Sequence, residues 1–122
     1  MKLCKCALCG QMAVVIKESK CPVVCCGQPM DVLEPGTTDG AREKHIPVWA
    51  AEDGTVNVTV GSVEHPMLDA HYIEWIALES KNAVQLKKLE PGAAPKATFA
   101  LAQGDEAVAA YEYCNLHGFW KG

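Results

Sequence analysis

Thr55-Val56-Asn57-Val58-Thr59-Val60 alternates polar and apolar positions with a period of two, the pattern of a strand with one buried face and one wet face. Comparable short runs at Ile46 to Ala50, His71 to Leu78, Val84 to Leu89, Thr98 to Ala102 and Ala107 to Cys114 predict further strands. Gly, Pro and Asn punctuation separates them, as in Glu90-Pro91-Gly92 and Gln103-Gly104-Asp105. No segment carries a long amphipathic helix, although Asp105 to Tyr111 admits a short one. Strands of this length and spacing predict an all-β protein built around a small β-sandwich.

The pattern lapses between Leu33 and Glu43. Glu34-Pro35-Gly36-Thr37-Thr38-Asp39-Gly40 has turn and linker residues and no apolar periodicity, which predicts a boundary between a first segment, 1–36, and a second, 37–122. Chains below about 40 residues seldom bury enough apolar surface to fold unaided. The first segment is therefore expected to be held together by its cysteines.

Composition narrows the chemistry. The formal charge of −4 and the absence of a Lys/Arg cluster argue against nucleic-acid binding, which needs a surface that releases counterions from phosphates. Met1-Lys2-Leu3-Cys4 lacks the apolar run of a signal peptide, and no run of 18 apolar residues is available to span a bilayer, so no membrane association and a cytoplasmic location are expected. Six of the seven cysteines lie in the first 26 residues, and all four histidines lie beyond residue 44. In a reducing compartment clustered thiols are expected to be metal ligands, with disulfide pairing as the alternative. The segregation predicts two metal centres, one all-sulfur and one mostly nitrogen.

Cys6-Ala7-Leu8-Cys9-Gly10 and Cys25-Cys26-Gly27 supply the first set. Two residues between Cys6 and Cys9 let both sulfurs reach one ion, and Gly10 lets the backbone turn so that amides approach them. The adjacent pair is rarer than a second Cys-x-x-Cys. A structural zinc site remains the plainer reading of such spacing, and Cys4 and Cys21 stand as either substitute ligands or free thiols. The second set is His45, His65, His71, Cys114 and His117, spread so widely that only a fold brings them together. Four imidazoles and one thiolate exceed the needs of tetrahedral zinc and suit square-pyramidal iron with one open position. The thiolate would push electron density onto that metal.

Three segments together resemble the signature of the superoxide reductases: Glu43-Lys44-His45-Ile46-Pro47, His65-Pro66-Met67-Leu68-Asp69-Ala70-His71-Tyr72-Ile73, and Cys114-Asn115-Leu116-His117-Gly118-Phe119-Trp120. Cys6, Cys9, Cys25 and Cys26 resemble a desulforedoxin-like module, so the whole chain is similar to the two-iron, desulfoferrodoxin type of that family. The resemblance implies an immunoglobulin-like sandwich whose His45, His65, His71, Cys114 and His117 hold the active iron. It also implies a small β module with a rubredoxin-like iron on its four cysteines. One-electron reduction of superoxide to hydrogen peroxide follows, with Lys44 attracting the anion and holding the water that protonates it. Glu43 becomes the group that fills the vacant position of the oxidised site. A homodimer and a rubredoxin-like electron donor are implied as well. Cys4 and Cys21 lie outside the pattern. For Glu43 and Lys44 the competing reading is a solvated charge pair. For the whole chain the competitors are a two-centre iron electron-transfer protein without superoxide turnover and a binding module stiffened by zinc.

Overall fold

Val56, Val58 and Val60 are almost wholly buried while Asn57 faces solvent, so the alternation at Thr55–Val60 is realised as drawn in the computed structural model, which describes residues 1–122. Each such valine contributes about 1.5–3 kcal/mol by leaving water. The chain divides into two compact units, Met1–Glu34 and Pro35–Gly122. No helix is long and apolar enough to cross a membrane.

In the first unit β1 (Lys2–Lys5) runs antiparallel between β2 (Met12–Val15) and β5 (Asp31–Leu33), while β3 (Val24–Cys25) and β4 (Gln28–Pro29) form a two-stranded ribbon. The ribbon turns on Cys26 and Gly27 with φ of 52° and 74°. Both values are positive, as a type I′ hairpin turn requires. The buried cluster here is Cys4, Cys6 and Met30, with Ala13, Val15 and Cys25 against it. A core made of sulfur-bearing and small side chains offers little apolar burial to stabilise 34 residues.

The second unit opens on a single helical turn, α1 (Arg42–His45), and continues as strands: β6 (Pro47–Glu52), β7 (Thr55–Val60), β8 (Ile73–Ser80), β9 (Val84–Lys88), β10 (Lys96–Ala100), β11 (Ala107–Cys114) and β12 (Gly118–Lys121). They form two antiparallel sheets of order β10-β7-β6 and β12-β11-β8-β9. Val56, Val58, Val60, Ala97 and Phe99 of the first pack with Ile73, Ile76, Leu78, Ala110 and Cys114 of the second, which makes the sandwich. Asp53-Gly54, with φ of 50° and 74°, closes the β6–β7 hairpin by the same turn chemistry.

Several expectations need adjustment. Asp105 to Tyr111 forms no helix; it leads into β11, whose pairing with both β8 and β12 outweighs the high helix propensity of its alanines. The strand β12 went unanticipated because Gly118-Phe119-Trp120 read as the tail of a ligand motif. The stretch taken as a linker is structural from Pro35 onward: the Gly36 amide donates to the Phe119 carbonyl at 2.8 Å, and the Thr38 hydroxyl donates to the carbonyl of His117.

Candidate metal centres

Antiparallel pairing brings the scattered donors to one end of the sandwich. Pro47 pairs with Val60, so His45, just before β6, lies beside the loop after β7 that carries His65. Cys114 pairs with Ile73, so the end of β11 lies beside the turn carrying His71, and a register shift between Tyr113 and Cys114 re-aims the strand there. His117 sits in the tight connection from β11 to β12.

The four imidazoles form a square. Ring centroids are 4.7 Å apart for His45 and His65, 4.6 Å for His65 and His71, 4.9 Å for His71 and His117, and 4.8 Å for His117 and His45. The His45–His71 diagonal is 6.4 Å. The donor atoms of His45, His65, His71 and Cys114 all lie within 4.8 Å of one another. His117 falls outside that tightest group, yet its Nδ1 is 3.8 Å from Cys114 Sγ.

Hydrogen bonds fix which nitrogens face inward. His45 Nδ1 lies 2.7 Å from the Ala41 carbonyl and His65 Nδ1 lies 2.6 Å from the Pro66 carbonyl, so each Nδ1 carries the proton and donates it. Each Nε2 is then left with a lone pair, and these two atoms stand 3.2 Å apart. That contact is not a hydrogen bond, because neither atom has a proton to give. Protonating one ring would supply it, but burial lowers the pKa of both, His65 to about 4. His71, lowered by burial and then by the charges of His117 and Lys44, keeps a buried Nε2 with no partner at all. Converging lone pairs of this kind repel unless a cation lies among them. Burial raises the Cys114 thiol, which needs the same cation to ionise. The donor set therefore fits a metal ion, and its backbone-anchored imidazoles are the arrangement seen around bound metals.

The amino-terminal thiols make the same demand. Cys9 N approaches Cys6 Sγ at 3.5 Å, Cys9 and Cys25 sulfurs are 3.6 Å apart, and those of Cys25 and Cys26 are 3.9 Å apart. The Cys9 amide is the main cause that draws the Cys6 thiol down to about 6, whereas contact with Cys9 and then Cys6 pushes Cys25 up to about 12. Four sulfurs this close cannot all ionise without a cation. Cys6, Cys9, Cys25 and Cys26 are thus a second group able to hold an ion. Cys4 and Cys21 belong to neither group, and none of the seven cysteines forms a disulfide.

Glu43 and Lys44 are exposed on α1, beside His45. The Glu43 carbonyl accepts from Val63 N at 3.0 Å and Ser62 Oγ at 3.3 Å, which pins the turn. Other supports escape a reading of the sequence. Trp120 stacks on His45 at 5.0 Å and its indole N–H donates to the His117 carbonyl at 2.9 Å. Asn115 ties the Cys114 turn to the His71 turn, accepting from Tyr72 N at 2.9 Å and donating to the Ala70 carbonyl at 3.0 Å. The Asn115 inside the quoted motif was a signal that its position was more than spacing.

Glu112 was also missed. It is wholly buried in β11, two residues before Cys114, and neither carboxyl oxygen has a partner. Burial pushes its pKa up to about 9, so the folded protein carries it as the neutral acid at pH 7. The unfolded chain releases the proton near pH 4, so the stability linked to this group is complete at low pH and is lost as pH rises from there towards 9. Glu112→Gln, neutral at every pH, is expected to gain on the parent by roughly 2–4 kcal/mol between pH 5 and pH 8. Denaturant midpoints of both proteins at the two pH values check this. A difference that does not change with pH overturns the burial argument.

The family model for desulfoferrodoxin matches residues 37–122. The chain is 46% identical over 121 residues to a desulfoferrodoxin homolog of Archaeoglobus fulgidus, covering 99% of this chain and 95% of that one. It is 47% identical over 117 residues to the desulfoferrodoxin of Nitratidesulfovibrio vulgaris, covering 96% and 91%. Among solved structures it aligns with the superoxide reductase from Treponema pallidum at a TM-score of 0.82 and 40% identity, over 98% of both chains. With both sulfur and imidazole donor groups lying inside these near full-length matches, the chain belongs to the desulfoferrodoxin family.

Proposed function

We propose that the protein is a superoxide reductase that reduces superoxide by one electron to hydrogen peroxide. The observation that carries this reading is the square of four imidazoles, with the lone pairs of His45 and His65 converging inside it and a buried thiol beside it. His45, His65 and His71 through Nε2, His117 through Nδ1 and Cys114 through Sγ would hold one iron ion. Ferrous iron held by this set would supply the single electron, and with five protein donors it would still be able to take up a small anion. The solved structures of superoxide reductases from Treponema pallidum and Giardia intestinalis, to which the chain is similar, support the assignment.

The chain's own residues do the rest. Burial keeps the His45, His65 and His71 imidazoles uncharged, so at neutral pH their lone pairs are available without loss of a proton. Lys44, whose charge is felt at His71, draws the anion in and holds the water that delivers a proton to it. Each superoxide takes up one electron and two protons. Glu43, anchored through its carbonyl, offers a carboxylate that covers the oxidised site at rest. Cys6, Cys9, Cys25 and Cys26 would hold a rubredoxin-like iron in a module of residues 1–36, with the reductase domain spanning 37–122. A rubredoxin-like protein serves as external donor, and the protein works as a homodimer in the cytoplasm.

Adding superoxide to the anaerobically reduced protein and counting products tests the reading. One peroxide per superoxide with no oxygen is the expected result. Half as much peroxide with matching oxygen would mean dismutation, and no reaction above the buffer blank would mean a two-centre electron-transfer protein.

Lys44→Ala is expected to slow superoxide capture about tenfold at low salt, the lower end of the range for electrostatic focusing. It should also flatten the dependence of the second-order rate on ionic strength. Pulse radiolysis at several salt concentrations measures both. An unchanged rate and slope would leave Lys44 a solvated bystander.

A further inference from the structure

Two thiols lie outside both metal groups, and they share a cavity. Cys4 and Cys21 line a pocket of about 90 Å³ in the first unit, together with Lys2, Lys17, Glu18 and Met30. Cys4 is 2% exposed and is held on β1 between Ala13 and Val32 of the flanking strands. Cys21 is exposed and belongs to the connection between β2 and β3, where no strand pairing fixes the backbone. Its local order comes from a turn in which Ser19 Oγ accepts from the Cys21 amide at 3.2 Å, and from the Lys2–Glu18 ion pair at 3.3 Å. One thiol is accessible and lies outside any strand; the other is shielded on the central strand of its sheet, and both line the same small pocket.

We propose that Cys4 and Cys21 are a peroxide-oxidisable dithiol that closes across this pocket into an intramolecular disulfide. Cys21 is the attacking thiol, because it reaches solvent while Cys4 is buried. Its sulfur attacks one oxygen of hydrogen peroxide, the O–O bond breaks, and Cys21 sulfenic acid and water result. The Cys4 sulfur then attacks the Cys21 sulfur and expels the hydroxyl as a second water. In sum two S–H bonds are lost, one S–S bond forms, and the two electrons reduce one peroxide to two waters. The buried Cys4 meets no other soluble partner, so it acts as the resolving thiol and protects Cys21 from irreversible oxidation. That the oxidant is a product of this same protein rests on the proposed reductase activity. The dithiol chemistry itself does not, since peroxide from any source drives it.

The test uses the full-length, iron-loaded protein treated with one equivalent of hydrogen peroxide, then denatured, alkylated and digested with trypsin without reduction. The expected product links the peptide Leu3–Lys5 to the peptide beginning at Cys21, with a mass loss of two hydrogens and with Cys25 and Cys26 alkylated. Fragmentation between Cys21 and Cys25 assigns the bridging sulfur. Cys21→Ser should abolish the link and leave Cys4 fully alkylated, while the absorption of the thiolate-bound iron persists. Cys4→Ser should instead leave Cys21 as a sulfenic acid that dimedone traps, and a second equivalent of peroxide should carry it to the sulfinic acid. Full alkylation of Cys4 in the treated parent, or a link from Cys4 to Cys25 or Cys26, overturns the proposal. Superoxide turnover is not read out, so a negative result here leaves the reductase assignment untouched.

Discussion

Cys114→Ser is expected to abolish superoxide turnover while the colour of the amino-terminal iron persists. Serine is nearly isosteric, and Cys114 is fully buried at the end of β11, so the strand and its neighbours should keep their places. What changes is the donor. A hydroxyl stays protonated where a thiol near a cation gives up its proton, and the buried surroundings that already raise the Cys114 thiol penalise an alkoxide far more. With the proposed ligand set, the site would lose its one anionic ligand and its soft donor together. Removing an outer partner of a metal ligand typically costs 10–100-fold, so loss of a direct ligand should exceed about 100-fold in turnover. Stopped-flow or pulse-radiolytic rates, with iron content and the visible spectrum measured in parallel, give the answer. Parent-like turnover by the serine protein would remove Cys114 from the ligand set.

Gly61→Ala should unfold or distort the second unit, although Gly61 touches no metal. Its φ is +77°, a region that costs an L side chain about 1–2 kcal/mol. A Cβ there would also lie 2.6 Å from the Val63 carbonyl oxygen and 2.7 Å from the Lys44 carbonyl carbon, and closest of all to the Glu43 carbonyl oxygen. These are backbone atoms and cannot rotate aside. The Glu43 carbonyl is the one that Val63 and Ser62 hold, so relieving the clash moves the turn carrying Glu43, Lys44 and His45. Strain and clash together should cost roughly 3 kcal/mol, a fall in Tm on the order of 15 °C for a unit of this size. Retained protein should bind less iron at the imidazole site. Gly104→Ala is the control, because its φ is +83° but its Cβ would meet nothing within 4 Å. If the two variants melt alike, Gly61 holds only a turn and not the site.

Much of the sandwich is legible one residue at a time. Thr55–Val60 and Ala107–Cys114 form strands over the predicted spans, and Val84–Lys88 ends one residue early. The others slide by one or two residues, to Pro47–Glu52, Ile73–Ser80 and Lys96–Ala100, because ladder partners decide where a strand ends. Glu34 to Gly40 misled for a related reason. Gly, Pro and Thr look like a linker by composition, yet Gly40 sits so close to His117 and Trp120 that a Cβ there would lie 3.1 Å from His117 Cβ and 3.2 Å from Trp120 Cζ2. Small residues serve close packing as readily as they serve flexibility.

The sequence alone determined which atoms are available: six thiols at one end, four imidazoles and one thiol at the other, strands between them, and a first segment too short to stand on apolar burial without a ligand. Those properties are local and can be counted along a line. Only the tertiary structure decided that His45 and His65 turn Nε2 inward, that His71 keeps an unpartnered nitrogen, and that Glu112 is sealed as a neutral acid beside Cys114. It also decided that Gly61 must carry no side chain and that Cys4 and Cys21 face one cavity. Each of these depends on the direction of a lone pair, the loss of water or the approach of a distant backbone, and such quantities exist only once residues far apart in the chain have been brought together.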